Sequence, residues 1–224
     1  MKMIRLAAAL AAMIGLVSCE EVLDSVITEP TFSVFSTIYD GQTCKLVKIS
    51  ACTYAWETDS PSEAVVAETG KKKRAWLTVN LSDKTRCKSI AITARNANDA
   101  TVEPFTVSTM VHPWKLVIFK KDGDKWTECG TSYDFKGTGG VSIEVRMVAL
   151  QTNGSWKEVD KIPYEGSDGQ ELNWEVASST GNIPTAKMGA TKLSFDYSTL
   201  FQSFTVSASL GEETRTVSFF DSTY

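Results

Sequence analysis

From about residue 32 onward, apolar and polar positions alternate with a period of two in segments rich in Val, Ile, Thr, Phe and Trp. Alternation of that kind sends successive side chains to opposite faces, as a half-buried strand requires. The cleanest run is Val141-Ser142-Ile143-Glu144-Val145-Arg146-Met147, and similar runs carry Leu77/Val79/Leu81, Ile90/Ile92/Ala94, Phe105/Val107, Leu116/Ile118, Leu172/Trp174/Val176, Leu193/Phe195/Tyr197, Phe204/Val206/Ala208 and Val217/Phe219. Roughly ten strands result. Lys121-Asp122-Gly123-Asp124 and Thr152-Asn153-Gly154-Ser155 mark two hairpins, because Asp-Gly and Asn-Gly supply the positive φ that tight turns need. The pattern predicts an all-β protein, an antiparallel β-sandwich of jelly-roll or immunoglobulin-like type. One short helix is expected within it: Ser60-Pro61-Ser62-Glu63 reads as a capping box with Pro at the first helical position, and Gly70 offers a left-handed stop.

Ahead of the β region the pattern changes. Lys2 and Arg5 precede an uncharged apolar run from Leu6 to Val17. As a helix that run rises only about 18 Å, short of the ~30 Å hydrocarbon core a span must cross, so residues 1–18 are expected to be an export signal. Leu16-Val17-Ser18-Cys19 resembles the bacterial lipobox, and the resemblance implies diacylation of Cys19, cleavage before it and a lipid-anchored envelope protein, on the outer membrane of a Gram-negative cell. Stable anchoring takes two or more acyl chains, which a triacylated Cys19 would carry. Residues 19–31 then form a tether, closed by Thr28-Glu29-Pro30.

Charge and composition narrow the function. The formal charge is −4, from 23 basic and 27 acidic residues. Loss of residues 1–18 removes Lys2 and Arg5 and no acid, leaving 21 against 27 and a charge of −6. An acidic body lacks the broad attraction to phosphates that a nucleic-acid binder uses. His112 is the only histidine, so a multi-His metal centre and a HExxH zinc site are excluded, and no GxSxG elbow accompanies it. A glycan-active hydrolase would need two carboxylates at fixed separation, which sequence cannot single out among 27 acids. The expectation is therefore a protein without catalytic residues or cofactor.

Four cysteines come after the anchor: Cys44, Cys52, Cys87 and Cys129. In an exported protein they have three possible pairings, or they stand as free buried thiols. On one continuous strand Cys44 and Cys52 would lie about 26 Å apart, too far to bridge without an intervening turn. No CxxC spacing signals redox chemistry or structural zinc. Calcium is the more plausible ion, from Asp122-Gly123-Asp124 and Glu165-Gly166-Ser167-Asp168-Gly169, although neither has the EF-hand spacing and solvated turns explain both. Gly137-Thr138-Gly139-Gly140 lacks the Lys and helix of a phosphate loop. Lys71-Lys72-Lys73-Arg74, the one charge run, reads as a solvated hairpin or helix end, with an anionic surface as its functional alternative.

Six tryptophans remain: Trp56, Trp76, Trp114, Trp126, Trp156 and Trp174. Most tryptophans in a β-sandwich are core, whereas exposed ones stack on ligands such as sugars. Trp114, at a strand start, and Trp156, after a turn, are the better candidates for a binding face. A polar Gly-rich stretch, Tyr164 to Gln170, suggests a boundary that leaves a β-sandwich at 32–165 and a C-terminal β extension or small second domain at 166–224. No internal repeat stands out in the sequence.

Arg74-Ala75-Trp76-Leu77-Thr78-Val79-Asn80-Leu81 with Lys88-Ser89-Ile90-Ala91-Ile92, then Asp122-Gly123-Asp124-Lys125-Trp126, then Ile143-Glu144-Val145-Arg146-Met147, resemble in order and spacing the strands of discoidin-type (galactose-binding-like) domains over residues 40–165. Asn80 and Ser82 depart from the usual acid and Gly. The resemblance implies an eight-stranded jelly roll that binds glycans, lipids or proteins through loops at one end. The resulting expectation is a non-enzymatic glycan- or protein-binding module; the alternative is a structural or adhesin component built from tandem immunoglobulin-like domains, and a glycan hydrolase ranks third.

Overall fold

The structure is a computed structural model that describes residues 29–50, 52–69, 74–134, 139–159, 173–178, 192–197, 203–220 and 222. The signal segment, Cys19, most of the tether, Lys71–Lys73, Gly137-Thr138 and Glu165–Gly169 lie outside the described residues. Among the described residues the regular structure is all strand. Two compact units form. One takes the residues through Asn80 with Lys88–Val111, the other Leu81–Cys87 with His112 onward.

The first unit contains β1 (Phe32–Ser33), β2 (Thr37–Tyr39), β3 (Thr43–Lys48), β4 (Tyr54–Thr58), β5 (Ala64–Thr69), β6 (Arg74–Val79), β7 (Lys88–Asn96) and β8 (Phe105–His112), whose last residue, His112, belongs to the second unit. One sheet has the order β1-β3-β6-β5 and the other β2-β8-β7-β4. With β1, β3, β6 and β5 taken as A, B, E and D, and β8, β7 and β4 as G, F and C, this is the strand order of the immunoglobulin fold. The alternation seen in the sequence sets the inward faces: Cys44 and Leu46 on β3, Ala75, Leu77 and Val79 on β6, and Ile90, Ile92 and Ala94 on β7 are all buried. Aromatic edges join the two sheets, with Phe32 5.0 Å from Trp56 and 5.6 Å from Phe105, ring to ring. Lys48 and Glu68 pair at 3.0 Å, and Trp56 Nε1 donates to the same Glu68 carboxylate at 3.0 Å.

The second unit contains β9 (Trp114–Asp122), β10 (Lys125–Glu128), β11 (Ser132–Asp134), β12 (Gly139–Leu150), β13 (Trp156–Glu158), β14 (Asn173–Ser178), β15 (Lys192–Tyr197), β16 (Ser203–Leu210) and β17 (Glu213–Phe220). Its first sheet runs β10-β9-β12-β13, with β15 also paired to β12. The long β12 meets β9 along one edge, while its other edge pairs with β15 through Gly139–Glu144 and with β13 through Val148–Leu150. The second sheet runs β11-β17-β16-β14, with β11 parallel to β17. Leu116, Ile118, Ile143 and Val145 pack from one sheet against Phe204, Val206, Ala208, Val217 and Phe219 from the other. Phe204 and Phe219 stack at 4.9 Å with their planes 4° apart.

Both units share one strand plan. The order β9-β12-β15 against β11-β17-β16-β14 repeats β1-β3-β6 against β2-β8-β7-β4. The sequence hid this repeat because a strand order constrains inward polarity and leaves residue identity free. It also corrects the expected domain plan: strands at 173–178, 192–197 and 203–220 complete the second sandwich instead of forming an extension beyond residue 165. The segments that carry the discoidin resemblance are divided accordingly, with 74–80 and 88–92 in the first unit and 122–126 and 143–147 in the second. Of the two sandwich types expected, the strand order is immunoglobulin-like.

The expected helix is replaced by a strand. Ser60 O accepts from the amides of Glu63 (3.0 Å) and Ala64 (2.9 Å), so the capping sequence closes one turn. Ala64–Thr69 then pairs with β6 from Ala64↔Val79 to Thr69↔Arg74. Val65 and Val66 are β-branched, and a full ladder to β6 outweighs the weak helix preference of so short a segment. The two Gly hairpins form as read, with φ of +60° at Gly123 and +82° at Gly154.

Leu77 is fully buried between the first unit's sheets, and Val65 points outward from β5. Leu77→Ala is expected to lower unfolding free energy by about 2–5 kcal/mol, and Val65→Thr to change it by no more than about 0.5 kcal/mol; urea denaturation of the two variants checks both.

Candidate functional site

The strand alternation that buries Ile143, Val145, Met147 and Ala149 of β12 puts Glu144 and Arg146 on the opposite, outward face of that sheet. Register assembles their neighbours. On β9, Phe119 lies opposite Glu144 and Val117 opposite Arg146. Trp126 of β10 lies opposite Lys121, and Glu128 opposite Phe119. On β13, Glu158 lies opposite Val148 and Trp156 opposite Leu150.

Arg146 is the centre of this face. Its guanidinium carbon sits 4.4 Å from the Phe119 ring centroid and 5.8 Å from that of Trp126. Its Nε pairs with Glu144 at 3.3 Å and its Nη1 with Glu158 at 3.1 Å. Two carboxylates and two rings therefore fix the plane of one cation, a geometry that the flat guanidinium suits and an ammonium does not. At the far edge Lys115 Nζ stands 4.5 Å over the Trp156 ring, which is 43% exposed. At the outward positions of β9, β10, β12 and β13 the charges balance, with Lys115, Lys121 and Arg146 against Glu128, Glu144 and Glu158.

Of the two tryptophans expected to bind, the structure brings only Trp156 to this open face. Trp114 shares the inward side of β9 with Leu116 and Ile118 and packs, half-buried, against the second unit's core. Trp126, a hairpin residue in the sequence, joins the site, as does Phe119. Their partnership with Arg146 depends on pairing between strands far apart in the chain. The one signal the sequence offered was the outward phase of Glu144 and Arg146 on β12.

The remaining candidates lie elsewhere. His112 is buried, and its Nδ1 donates to Leu150 O at 2.6 Å. Cys87 Sγ donates to the same carbonyl at 3.1 Å and lies 3.6 Å from Nδ1. Since a carbonyl only accepts, Nδ1 carries a proton and is no base toward the thiol. Burial also raises the Cys87 pKa, opposite to what an activated nucleophile needs. Asp122, at the expected calcium turn, is drawn to Lys120 at 2.7 Å instead. Lys120 also bonds the Tyr133 hydroxyl; burial works against its charge, and these two hydrogen bonds more than offset that, so its pKa is raised. Among the described residues no cluster of three or more His, Cys, Asp or Glu is placed to hold a metal ion.

Cys44, Cys52, Cys87 and Cys129 are all free thiols in the structure. No bridge of those considered from the sequence is present: Cys44 faces the first unit's core from β3, and Cys129 belongs to the second unit's core cluster. Desolvation pushes both thiols up from 9.0 to about 11.

The chain matches no protein-family model and no curated protein. Among solved structures it is similar to two endo-fucoidan hydrolases of glycoside hydrolase family 107. A variant of MfFcnA4 is 12% identical with a TM-score of 0.28, over 93% of this chain and 29% of the enzyme. MfFcnA9 is 12% identical with a TM-score of 0.31, over 86% and 34%. The chain thus spans about a third of those enzymes or less. Likeness at that level leaves the ligand to be read from this chain's own surface.

Raised thiol pKa values give the stability a defined pH dependence. The folded thiols hold their protons above the unfolded pKa of 9.0, so their contribution is complete below pH 9 and is lost as pH rises toward about 11. The loss is expected to reach about 2 kcal/mol per thiol. Urea midpoints from pH 8 to 11 should fall less steeply in Cys129→Val than in the unsubstituted protein, and identical slopes would contradict the assignment.

Proposed function

We propose that this chain is a non-enzymatic binding protein of the bacterial envelope, anchored through acylated Cys19 and taking its ligand on the outward face of the β10-β9-β12-β13 sheet. The observation that carries the reading is the set of three aromatic side chains on that face, Phe119 and Trp126 against the Arg146 guanidinium that two carboxylates hold, and Trp156 beside Lys115 at the far edge. Rings give flat apolar area, and fixed polar groups at their edges give orientation, which is the division of labour in small-ligand and sugar recognition. The face is the outward surface of a sheet, where Trp156 is 43% exposed to water, and the part-buried Cys87–His112 pair has its protons committed to a carbonyl. Both features favour binding without turnover. The ligand in this reading is a glycan, and calcium is not required for it.

A second reading has one observation in its favour: the shared strand order of the two units, the arrangement of tandem immunoglobulin-like domains in spacers and adhesins. In that case the chain assembles with copies or partners and the aromatic face takes no small ligand.

Retention of residues 20–224 on a glycan array, with and without a calcium chelator, separates the two. Binding that survives chelation and is lost in Trp156→Ala supports the first reading. Absence of glycan binding, together with concentration-dependent polymer formation, supports the second. For the anchor, Cys19→Ala is expected to move the protein from the membrane to the soluble fraction of its host. An equal membrane share in both forms, or an intact unmodified Cys19 in the mass spectrum of the wild-type protein, contradicts acylation.

A further inference from the structure

Strand register gives the outward face of the second unit a direction as well as a composition. Trp126 of β10 lies opposite Lys121, and Phe119 is two residues back along β9. Phe119 lies opposite Glu144, and Arg146 is two residues on along β12. Glu158 lies opposite Val148, two residues further in the same sense, and Trp156 lies opposite Leu150, two further again. Each of these steps advances by one side-chain repeat on the same face. Trp126, Phe119, Arg146, Glu158 and Trp156 therefore form one oblique line across four strands.

Three inter-strand spacings sideways and eight residues lengthwise give that line a span of about 30 Å. Its ends are tryptophans, and its middle is a guanidinium laid over a phenyl ring. Planar groups recur along it, and carboxylate and ammonium groups flank them.

We propose that this line is the track for an extended, uncharged polysaccharide chain, an inference that rests on the binding reading of the same face. Three features select that ligand. An oblique row of planar groups at successive positions fits a long chain whose units present apolar C–H faces, and offers a compact ligand no more than one or two contacts. The three cations and three carboxylates at the outward positions of these four strands cancel, and Arg146 is already paired twice, so the line itself offers no excess charge to hold sulfates, phosphates or uronates. The flanking groups instead donate to and accept from hydroxyls. A polypeptide ligand would find little here, since β-strands are recognised by pairing at a sheet edge and this surface is a face.

Affinity electrophoresis of residues 20–224 through gels containing neutral polysaccharides (xylan, galactomannan and mixed-linkage β-glucan) and anionic ones (alginate and dextran sulfate) tests the assignment. Calorimetry with oligosaccharides of increasing length cut from the best neutral polymer completes it. Retardation is expected in at least one neutral gel and should persist in about 1 M NaCl, where the Debye length falls to about 3 Å. Affinity should rise with oligosaccharide length until the chain reaches both ends of the line. Trp156→Ala, at an exposed position, should weaken the longest oligosaccharide by about tenfold with an unchanged melting temperature, and Trp126→Ala should act at the other end. Neutral-glycan binding that is independent of length overturns the track and leaves the binding reading in place. Retention by the anionic polymers alone, lost in high salt, overturns the ligand class. Failure to bind any polysaccharide overturns both the inference and the glycan reading on which it rests.

Discussion

The period-two alternation of β12 is the constraint on which the fold and the face both depend. A strand buried on one side cannot shift by a single residue without sending Ile143, Val145 and Met147 into water and Glu144 and Arg146 into the core. Burying an unpaired guanidinium costs several kcal/mol, so the phase of this strand is strongly determined. Once the phase is set, register with β9 and β13 carries Phe119 and Glu158 to Arg146. The core selects which side of β12 is outward, and the aromatic and charged face is what remains on that side.

Arg146 is held by a combination of weak terms. Its pairs with Glu144 and Glu158 are only partly shielded from water, and exposed ion pairs each contribute about 1 kcal/mol or less. Stacking on Phe119 adds a comparable amount. Together they hold a long side chain in one place over the Phe119 ring. Val117, which points outward between two core residues and lies opposite Arg146, is nonetheless buried. Preorganisation of this kind spares a ligand the entropy of ordering the surface it meets.

Much of the fold was legible in residue order alone. The all-β class, most strand positions and both Gly turns could be read from alternation and from residues that tolerate positive φ. Strand pairing was not legible, because Ile143 can face the core of many sandwiches and nothing local names Phe204 or Phe219 as its partner. The repeat of one strand plan in two units was hidden for the same reason. The sequence also overstated a helix at Ser60: a capping box records how a turn can begin, whereas the ladder from Val65 and Val66 to β6 decides that the chain leaves the turn extended. Of the two candidate tryptophans, the exposed position of Trp156 was legible from its turn. Trp114 was not, since one residue of phase separates an inward ring from an outward one and both stand near a strand end.

Indole N–H signals offer the most direct test of where the ligand lies. In a ¹H–¹⁵N spectrum of the 20–224 protein titrated with its best oligosaccharide, the Trp126 and Trp156 resonances, assigned by single substitution, are expected to move together along one saturating curve. Those of Trp56, Trp76 and Trp114 should stay in place. Movement confined to Trp56, Trp76 or Trp114, with Trp126 and Trp156 unchanged at saturation, would contradict the account.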